Sequence, residues 1–113
     1  LSIISSAPGK QGHRTGAEVL DMNEGRGATP AHVILDESGD IGRLYKAKTT
    51  PHMFLITADG MIAYQGAIDD TPSARVSDIE TATNYVSAAM QSVAAGEPVE
   101  VASSKPYGCS VKY

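Results

Sequence analysis

Apolar and polar positions alternate along the chain in a way that predicts short strands separated by turns. Apolar runs bounded by Gly, Pro, Asn, Asp or Ser are typical of strands. The runs of this kind are Leu1–Ser6, His32–Asp36, Met53–Thr57 and Met61–Tyr64. The pair Asp59-Gly60, between the last two runs, is a strong hairpin-turn signal. The sequence therefore predicts a β-hairpin in the second half of the chain.

Helical signals lie between these runs. Thr15 and Glu18 form a capping-box pattern, which predicts a helix that ends near Gly25. A second, short helix is expected over Ile41–Ala47, with Asp40 as its N-cap. Its apolar positions fall at i, i+3 and i+4 and predict one shared face, formed by Ile41, Leu44 and Tyr45.

The clearest helical pattern comes in the last third of the chain. Ser77 and Glu80 offer another capping box at its start. Gly96 stands where a left-handed cap belongs, and Pro98 prevents continuation. Apolar residues recur between these points at three- and four-residue steps, at Ala82, Tyr85, Val86, Ala89, Met90 and Val93. We expect this helix to pack on the sheet.

Pro51 stands directly before the Met53–Thr57 run. Proline donates no ladder hydrogen bond, so it belongs at the first position of a strand or just before it. Bonds that precede proline are also the ones with an appreciable cis population, and a cis proline is a device of tight bends. The local pattern leaves two interpretations open: a trans proline that only starts the strand, and a cis Thr50–Pro51 bond.

Composition excludes several classes of function. The chain has 113 residues, 42% of them apolar, and a net charge of −4, which is typical of one globular domain or less. Its nine Lys and Arg residues form no basic stripe, so we expect no nucleic-acid partner. No apolar run approaches the ~20 residues that span a bilayer, so we expect no membrane insertion either.

Cys109 is the residue with obvious redox chemistry. It is the single cysteine of the chain, so an intramolecular disulfide is excluded. A thiol beside a glycine in a terminal segment is expected to be accessible, as attack on a disulfide or sulfenic acid requires. Two interpretations stay open here, a reacting thiol and an unused one. The histidines stand far apart and without cysteine partners, so we expect no metal site.

Other residues offer weaker chemical signals. Asp69 and Asp70 are adjacent, which suggests either a carboxylate pair for acid–base work or a solvated turn. Neighbouring positions of a strand point in opposite directions, which favours the turn. Lys48 is a candidate partner of a thiolate or a simply exposed lysine. We expect Tyr45, Tyr64 and Tyr85 in the core or at its edge, and neither a serine-nucleophile elbow nor a phosphate-binding loop is present.

Several stretches taken together resemble one known family. They are Ser2–Gly12, Tyr45–Met53, Gly66–Asp70, Asn84–Val86 and the ending Pro106–Tyr113. This set is similar to the thioredoxin-like redoxin family, whose relatives include alkyl hydroperoxide reductase and thiol-specific antioxidant proteins. The resemblance covers nearly the whole chain, and it depends on the set rather than on any single stretch.

The resemblance implies a fold and a function. It implies an α/β fold, a thioredoxin-like sheet with flanking helices, truncated at the N-terminus. A partial domain would span residues 1–97, and residues 98–113 would form a tail with the Gly108-Cys109 motif. Thr50 and Pro51 would line the active-site floor across a cis bond, and Cys109 would resolve an oxidised upstream cysteine. No cofactor is implied, and export to the periplasm or outside the cell is common in similar proteins.

Proteins of that family also have a Cys-Pro nucleophile after a strand upstream of the position that matches Leu1, and this sequence lacks both. We therefore expect the chain to begin inside a longer protein, with an empty position between the Leu1–Ser5 and Met53–Thr57 strands. The 113 residues would not fold alone in the parent arrangement. Either a missing N-terminal segment or a second copy would complete the sheet, or the two halves would close up into a sheet with a new strand neighbour. The functional partner would be a thiol reductant or a disulfide-bearing protein. Two alternatives remain, a non-catalytic peptide-binding module and a structural fragment.

Overall fold

The computed structural model describes residues 1–113 and has a mixed α/β architecture. Its strands are β1 (Ser2–Ile4), β2 (Val33–Leu35), β3 (Thr49–Thr50), β4 (Met53–Ile56), β5 (Ile62–Gly66) and β6 (Cys109–Ser110). Its α-helices are α1 (Gly16–Gly25), α2 (Asp40–Leu44) and α3 (Tyr85–Ala94), and a 3-10 helix spans Val76–Glu80. The strands pair as β1 with β2, β3 with β6, and β4 with β5.

The chain divides into two compact units. One consists of Leu1–Ala47 with Val111–Tyr113, and the other of Lys48–Ser110. Residues 98–113 therefore contribute to both units. The separation of a domain at residues 1–97 from a tail at residues 98–113 stays a prediction.

The first unit is built on the parallel pair β1–β2. Ser2 lies opposite Val33 and Ile4 opposite Leu35, and α1 lies between the two strands along the chain. The predicted capping box is confirmed, because the Thr15 side chain accepts from the Glu18 backbone and the Glu18 carboxylate accepts from the Thr15 backbone. Val19 is the buried residue of α1, so this helix presents little apolar surface to the core.

Asp36, directly after β2, accepts hydrogen bonds from the first turn of α2, whose N-cap residue is Gly39. The predicted cap at Asp40 is wrong: one Asp36 carboxylate oxygen accepts from the Gly42 backbone at 2.9 Å and from the Ser5 hydroxyl at 2.7 Å. α2 ends at Leu44 and not at the predicted Ala47, and the Leu44 side chain is 78% exposed. Burial alone would raise the pKa of Asp36, but the hydrogen bonds outweigh burial and lower it.

The second unit contains the predicted hairpin. β4 and β5 are antiparallel, Met53 lies opposite Gly66, and Leu55 lies opposite Tyr64. The turn at Asp59-Gly60 is confirmed, with Gly60 at a φ of 84°. A register shift follows Leu55, so the far end of the hairpin is irregular.

α3 packs on this hairpin, as expected. Its predicted start is wrong, because Ser77 and Glu80 lie in the 3-10 helix and α3 begins at Tyr85. Asn84 is the actual cap, and its side-chain oxygen accepts from the Ser87 backbone at 2.9 Å. The predicted left-handed residue after the helix is confirmed at Gly96, with a φ of 69°.

Few apolar side chains are buried. Those that are buried are Val19, Tyr64, Ala67 and Ala89, and Tyr64 has no exposed surface. Large exposed apolar side chains include Leu1, Leu20, Leu44, Val76 and Ile79. Each strand pair is an isolated two-stranded sheet, and β1 and β4 each have one strand partner. Such pairs are marginally stable by themselves, and an unpaired edge leaves backbone N–H and C=O groups open to another strand.

Candidate functional site

The structure brings together the three residues that the sequence singles out. β3 and β6 form an antiparallel pair in which Thr50 lies opposite Cys109 and Thr49 opposite Ser110. The Thr50–Pro51 bond is cis, which confirms that prediction and excludes the trans alternative. Cys109 is a free, exposed thiol, as expected. An accessible thiol therefore stands beside the Thr50–Pro51 segment.

Gly108 allows this close approach. Its φ of 135° is a conformation that residues with a side chain rarely adopt. A Cβ at this position would also collide with the Thr50 carbonyl oxygen, and it would lie 3.4 Å from the Pro51 nitrogen. Glycine before the cysteine is thus a steric requirement of the β3–β6 pair.

The segment that leads to β6 runs along the edge of β5. The Gln65 backbone donates to Ala102 and accepts from Ser104, both at 3.1 Å. The Ser104 hydroxyl accepts from the Ala67 backbone at 2.9 Å and lies 2.7 Å from the Tyr64 hydroxyl. Burial raises the pKa of Tyr64, so this phenol is held as a neutral hydrogen-bonding group. Sequence periodicity gave no sign of this attachment, because backbone pairing at an edge needs no repeated side chains.

A second attachment lies closer to the thiol. The Tyr107 hydroxyl donates to an Asp69 carboxylate oxygen at 2.5 Å, and the same oxygen accepts from the Thr71 backbone at 2.9 Å. The hydrogen bond to Asp69 raises the pKa of Tyr107 to about 12. Asp69 therefore fixes the chain two residues before Cys109. Sequence reasoning missed this tyrosine, since nothing local marks it as a partner of residue 69.

Asp69 and Asp70 do not work as a pair. Asp70 accepts from the Thr83 backbone and from the Thr71 hydroxyl, each at 2.9 Å. The hydrogen bond from Thr83, followed by the weaker effect of the bond from Thr71, lowers the pKa of Asp70. Both carboxylates bond to Thr71, but Asp69 also holds Tyr107 and Asp70 also holds Thr83, so each is occupied in structural hydrogen bonds.

His52 closes the loop that contains Thr50 and Pro51. Its Nδ1 atom accepts from the Lys48 backbone at 3.3 Å, and its ring stacks on Phe54 with centroids 4.5 Å apart. Burial, followed by the positive charge of Lys48, lowers the pKa of His52. Lys48 is exposed; its backbone N–H donates to His52 and its positive charge acts on the ring.

Other parts of the molecule offer less chemistry. A cavity of about 720 Å³ lies between α1 and β2, and its lining includes Val19, Leu20, His32 and Val33 but none of the three residues above. No three His, Cys, Asp or Glu side chains gather in a cluster that could hold a metal ion. The helices are all too short or too polar to cross a membrane.

Comparison with known proteins gives a fold and no function. No family model matches the chain, and no curated protein matches it. Among solved structures, it is similar to the crystal structure of an uncharacterized conserved protein from Geobacillus kaustophilus, with a TM-score of 0.76 and 22% identity. The match covers 98% of this chain and 57% of the other, so this chain spans little more than half of that protein's length.

Proposed function

We propose that this chain is part of a thioredoxin-like thiol–disulfide oxidoreductase or thiol peroxidase. In this proposal Cys109 is the resolving thiol, and Thr50 and Pro51 form the floor beside which the disulfide forms. The observation that supports it most directly is the pairing of Cys109 with Thr50. The residues that the redoxin resemblance marks at distant points of the sequence are neighbours in one antiparallel pair.

The order of elements also supports a thioredoxin-like fold. A short helix is followed by the Thr50–Pro51 segment, then by an antiparallel hairpin, and then by a helix that packs on the hairpin. This is the order of the second half of that fold as the sequence predicted it. The preceding β1–α1–β2 segment, with its parallel strands, agrees with an α/β arrangement.

The proposed chemistry needs two sulfur atoms and no bound cofactor. A cysteine outside these residues is oxidised by a peroxide to a sulfenic acid, and the peroxide is reduced to an alcohol or water. The Cys109 thiolate then attacks that sulfur, an S–S bond forms, and hydroxide leaves and takes up a proton as water. A thiol reductant, or a protein dithiol, returns both cysteines to thiols by exchange.

The same proposal includes a structural partner. β1 and β4 each have one strand partner, and large apolar side chains such as Leu1 and Val76 are exposed. We propose that a further segment of chain or a second copy covers these groups. Purified residues 1–113 are therefore expected to self-associate or to unfold without cooperativity. Light scattering and thermal unfolding test this, and a cooperative monomer would contradict it.

Peroxide treatment of the longest protein that contains this chain tests the redox role. Wild type is expected to form a disulfide that includes Cys109, detected by mass spectrometry after thiol blocking. Cys109→Ser should leave the other cysteine as a sulfenic acid or a mixed disulfide. Identical oxidised products from wild type and Cys109→Ser would contradict the role of Cys109 as the resolving thiol. For residues 1–113 alone, peroxidase turnover should not exceed that of the Cys109→Ser control.

The single thiol favours one alternative, a non-catalytic module that binds extended peptide beside Thr50 and Pro51. One cysteine cannot complete a disulfide cycle within the chain. The coding sequence that precedes Leu1 separates the two proposals. A Cys-Pro or Cys-x-x-Cys motif after a strand supports the enzyme, and a complete reading frame without either favours the binding module.

A further inference from the structure

The segment Lys48–His52 is a five-residue loop closed by a side chain. The backbone N–H of Lys48 donates to Nδ1 of His52 at 3.3 Å, across the two ends of the loop. Inside the loop, the Thr49 hydroxyl donates to the Pro51 carbonyl oxygen at 2.9 Å. β3 lies within this loop, so the bond from Lys48 to His52 bears on the segment that pairs with β6.

The hydrogen bond defines the state of the imidazole ring. Nδ1 accepts a hydrogen bond only when it has no proton, so the neutral ring holds its proton on Nε2. The ring is half-buried and stacks on Phe54 of β4 at an interplanar angle of 29°. The neighbour on β4 is thus apolar, and the charge that acts on the ring is that of Lys48.

Protonation removes the closing bond. It converts Nδ1 from an acceptor into a donor that faces the donor N–H of Lys48. It also places a positive charge near the Lys48 side chain in a partly desolvated position. Both changes oppose the closed loop, and neither acts while the ring is neutral.

We propose that His52 is a pH-sensitive latch on β3: the neutral ring holds the loop closed, and protonation releases it and weakens the pairing of Thr50 with Cys109. The closed loop is held by hydrogen bonds and by the packing of the His52 ring. It holds whether or not Cys109 takes part in redox chemistry.

The lowered pKa of His52 gives the direction of the pH dependence. Burial and Lys48 hold the pKa of His52 below the ordinary value of 6.5. The stabilisation is therefore fully present above that value and is lost as the pH falls through the lowered value. The loop is closed at neutral pH and opens in acid.

Amide hydrogen exchange of the longest protein that contains this chain, followed by NMR between about pH 8 and about pH 5, tests the latch across the range where histidine titrates. Protection factors corrected for intrinsic exchange should fall about two- to tenfold at the Lys48 amide, as loss of one hydrogen bond implies. The amides of β3 and β6 that donate hydrogen bonds across the pair should follow with the same midpoint. The midpoint should match that of the His52 ring signals.

Two variants and a control separate the latch from general acid effects. His52→Asn places an amide oxygen where Nδ1 was and does not titrate, so protection should persist from neutral pH into acid. His52→Ala should lack the protection at every pH. The control His32→Asn, which changes a histidine of the other unit, should behave like wild type. Unchanged wild-type protection across the pH range, or the same pH dependence in His52→Asn, would overturn the proposal. The His52→Asn variant tests the proposal even if His52→Ala does not fold.

Discussion

Gly108→Ala tests whether the β3–β6 pair holds Cys109 as closely as the structure indicates. Gly108 has a φ of 135°, and a Cβ there would collide with the carbonyl oxygen of Thr50. That oxygen belongs to the backbone of β3 and cannot rotate away like a flexible side chain. The substitution therefore forces the Gly108 and Thr50 backbones apart.

Gly60→Ala is the matched control. Gly60 also has a positive φ, 84°, but nothing lies within 4 Å of a Cβ built there. Both variants pay the backbone strain of a non-glycine residue, about 1–3 kcal/mol each. Only Gly108→Ala also disrupts the pairing of β3 with β6, in which each hydrogen bond contributes about 0.5–1.5 kcal/mol. We therefore expect Gly108→Ala to cost about 1–3 kcal/mol more than Gly60→Ala.

Urea unfolding of the longest protein that contains this chain measures this difference, in wild type and in both variants, with circular dichroism as the probe. A lower midpoint with an unchanged slope shows lost stability rather than a change in the unfolded state. If both variants lose stability equally, to within about 0.5 kcal/mol, then the close approach of Gly108 to Thr50 is absent and the reasoning fails.

The remaining predictions concern charge, anchoring and register. Asp36→Asn should cost about 1–3 kcal/mol at neutral pH. Because the pKa of Asp36 is lowered, the stability that its carboxylate contributes is present above pH 3.8 and is lost as the pH falls further. The urea midpoints of wild type and variant should therefore converge in acid, and a constant difference between them would contradict this. Tyr107→Phe should remove the tyrosine that ionises at about 12 from a spectrophotometric titration, whereas Asp69→Asn should keep the hydrogen bond but lower that pKa. Thr50→Cys should form a disulfide with Cys109 on mild oxidation, seen by mass spectrometry, because antiparallel partners have Cα atoms ~4.5–5.5 Å apart; failure to form it would contradict the register.

Signals that act over a few residues were enough to predict part of the fold. The Asp59-Gly60 turn, the Thr15 capping box and the Gly96 cap depend on backbone conformations set by adjacent residues. Each of these predictions is confirmed. The mixed α/β class follows from the same signals, because they separate the strands from the helices.

Features that depend on distant partners were predicted less well. Ser77 and Glu80 match a capping box, yet the chain there forms a 3-10 helix, and Asn84 caps α3 instead. The Asp70 backbone and side chain bond to Thr83, which fixes the residue before Asn84. A local pattern cannot reveal that bond, because its partners are 13 residues apart.

The candidate site, too, was predicted only in part. Thr50, Pro51 and Cys109 were identified from the family resemblance and from the rarity of cysteine. The pairing of β3 with β6, which brings them together, was not predicted, since β6 has two residues and no apolar alternation. Tyr107 and Asp69 were missed together, because a lone tyrosine and a lone aspartate carry no spacing that links them.

The position of Cys109 depends on the hairpin core more than on the residues beside it. A two-residue strand makes too few hydrogen bonds to fix itself against the entropy of ordering the chain. The preceding segment is fixed first at Ser104, which bonds to the fully buried Tyr64, and then at Tyr107, which bonds to Asp69. Ser104 and Cys109 are only five residues apart, so a fixed Ser104 restricts the reach of the thiol strongly. The Cys109 thiol is therefore exposed while the groups that hold its segment are not: Tyr64 is buried, and Ser104, Tyr107 and Asp69 are half-buried.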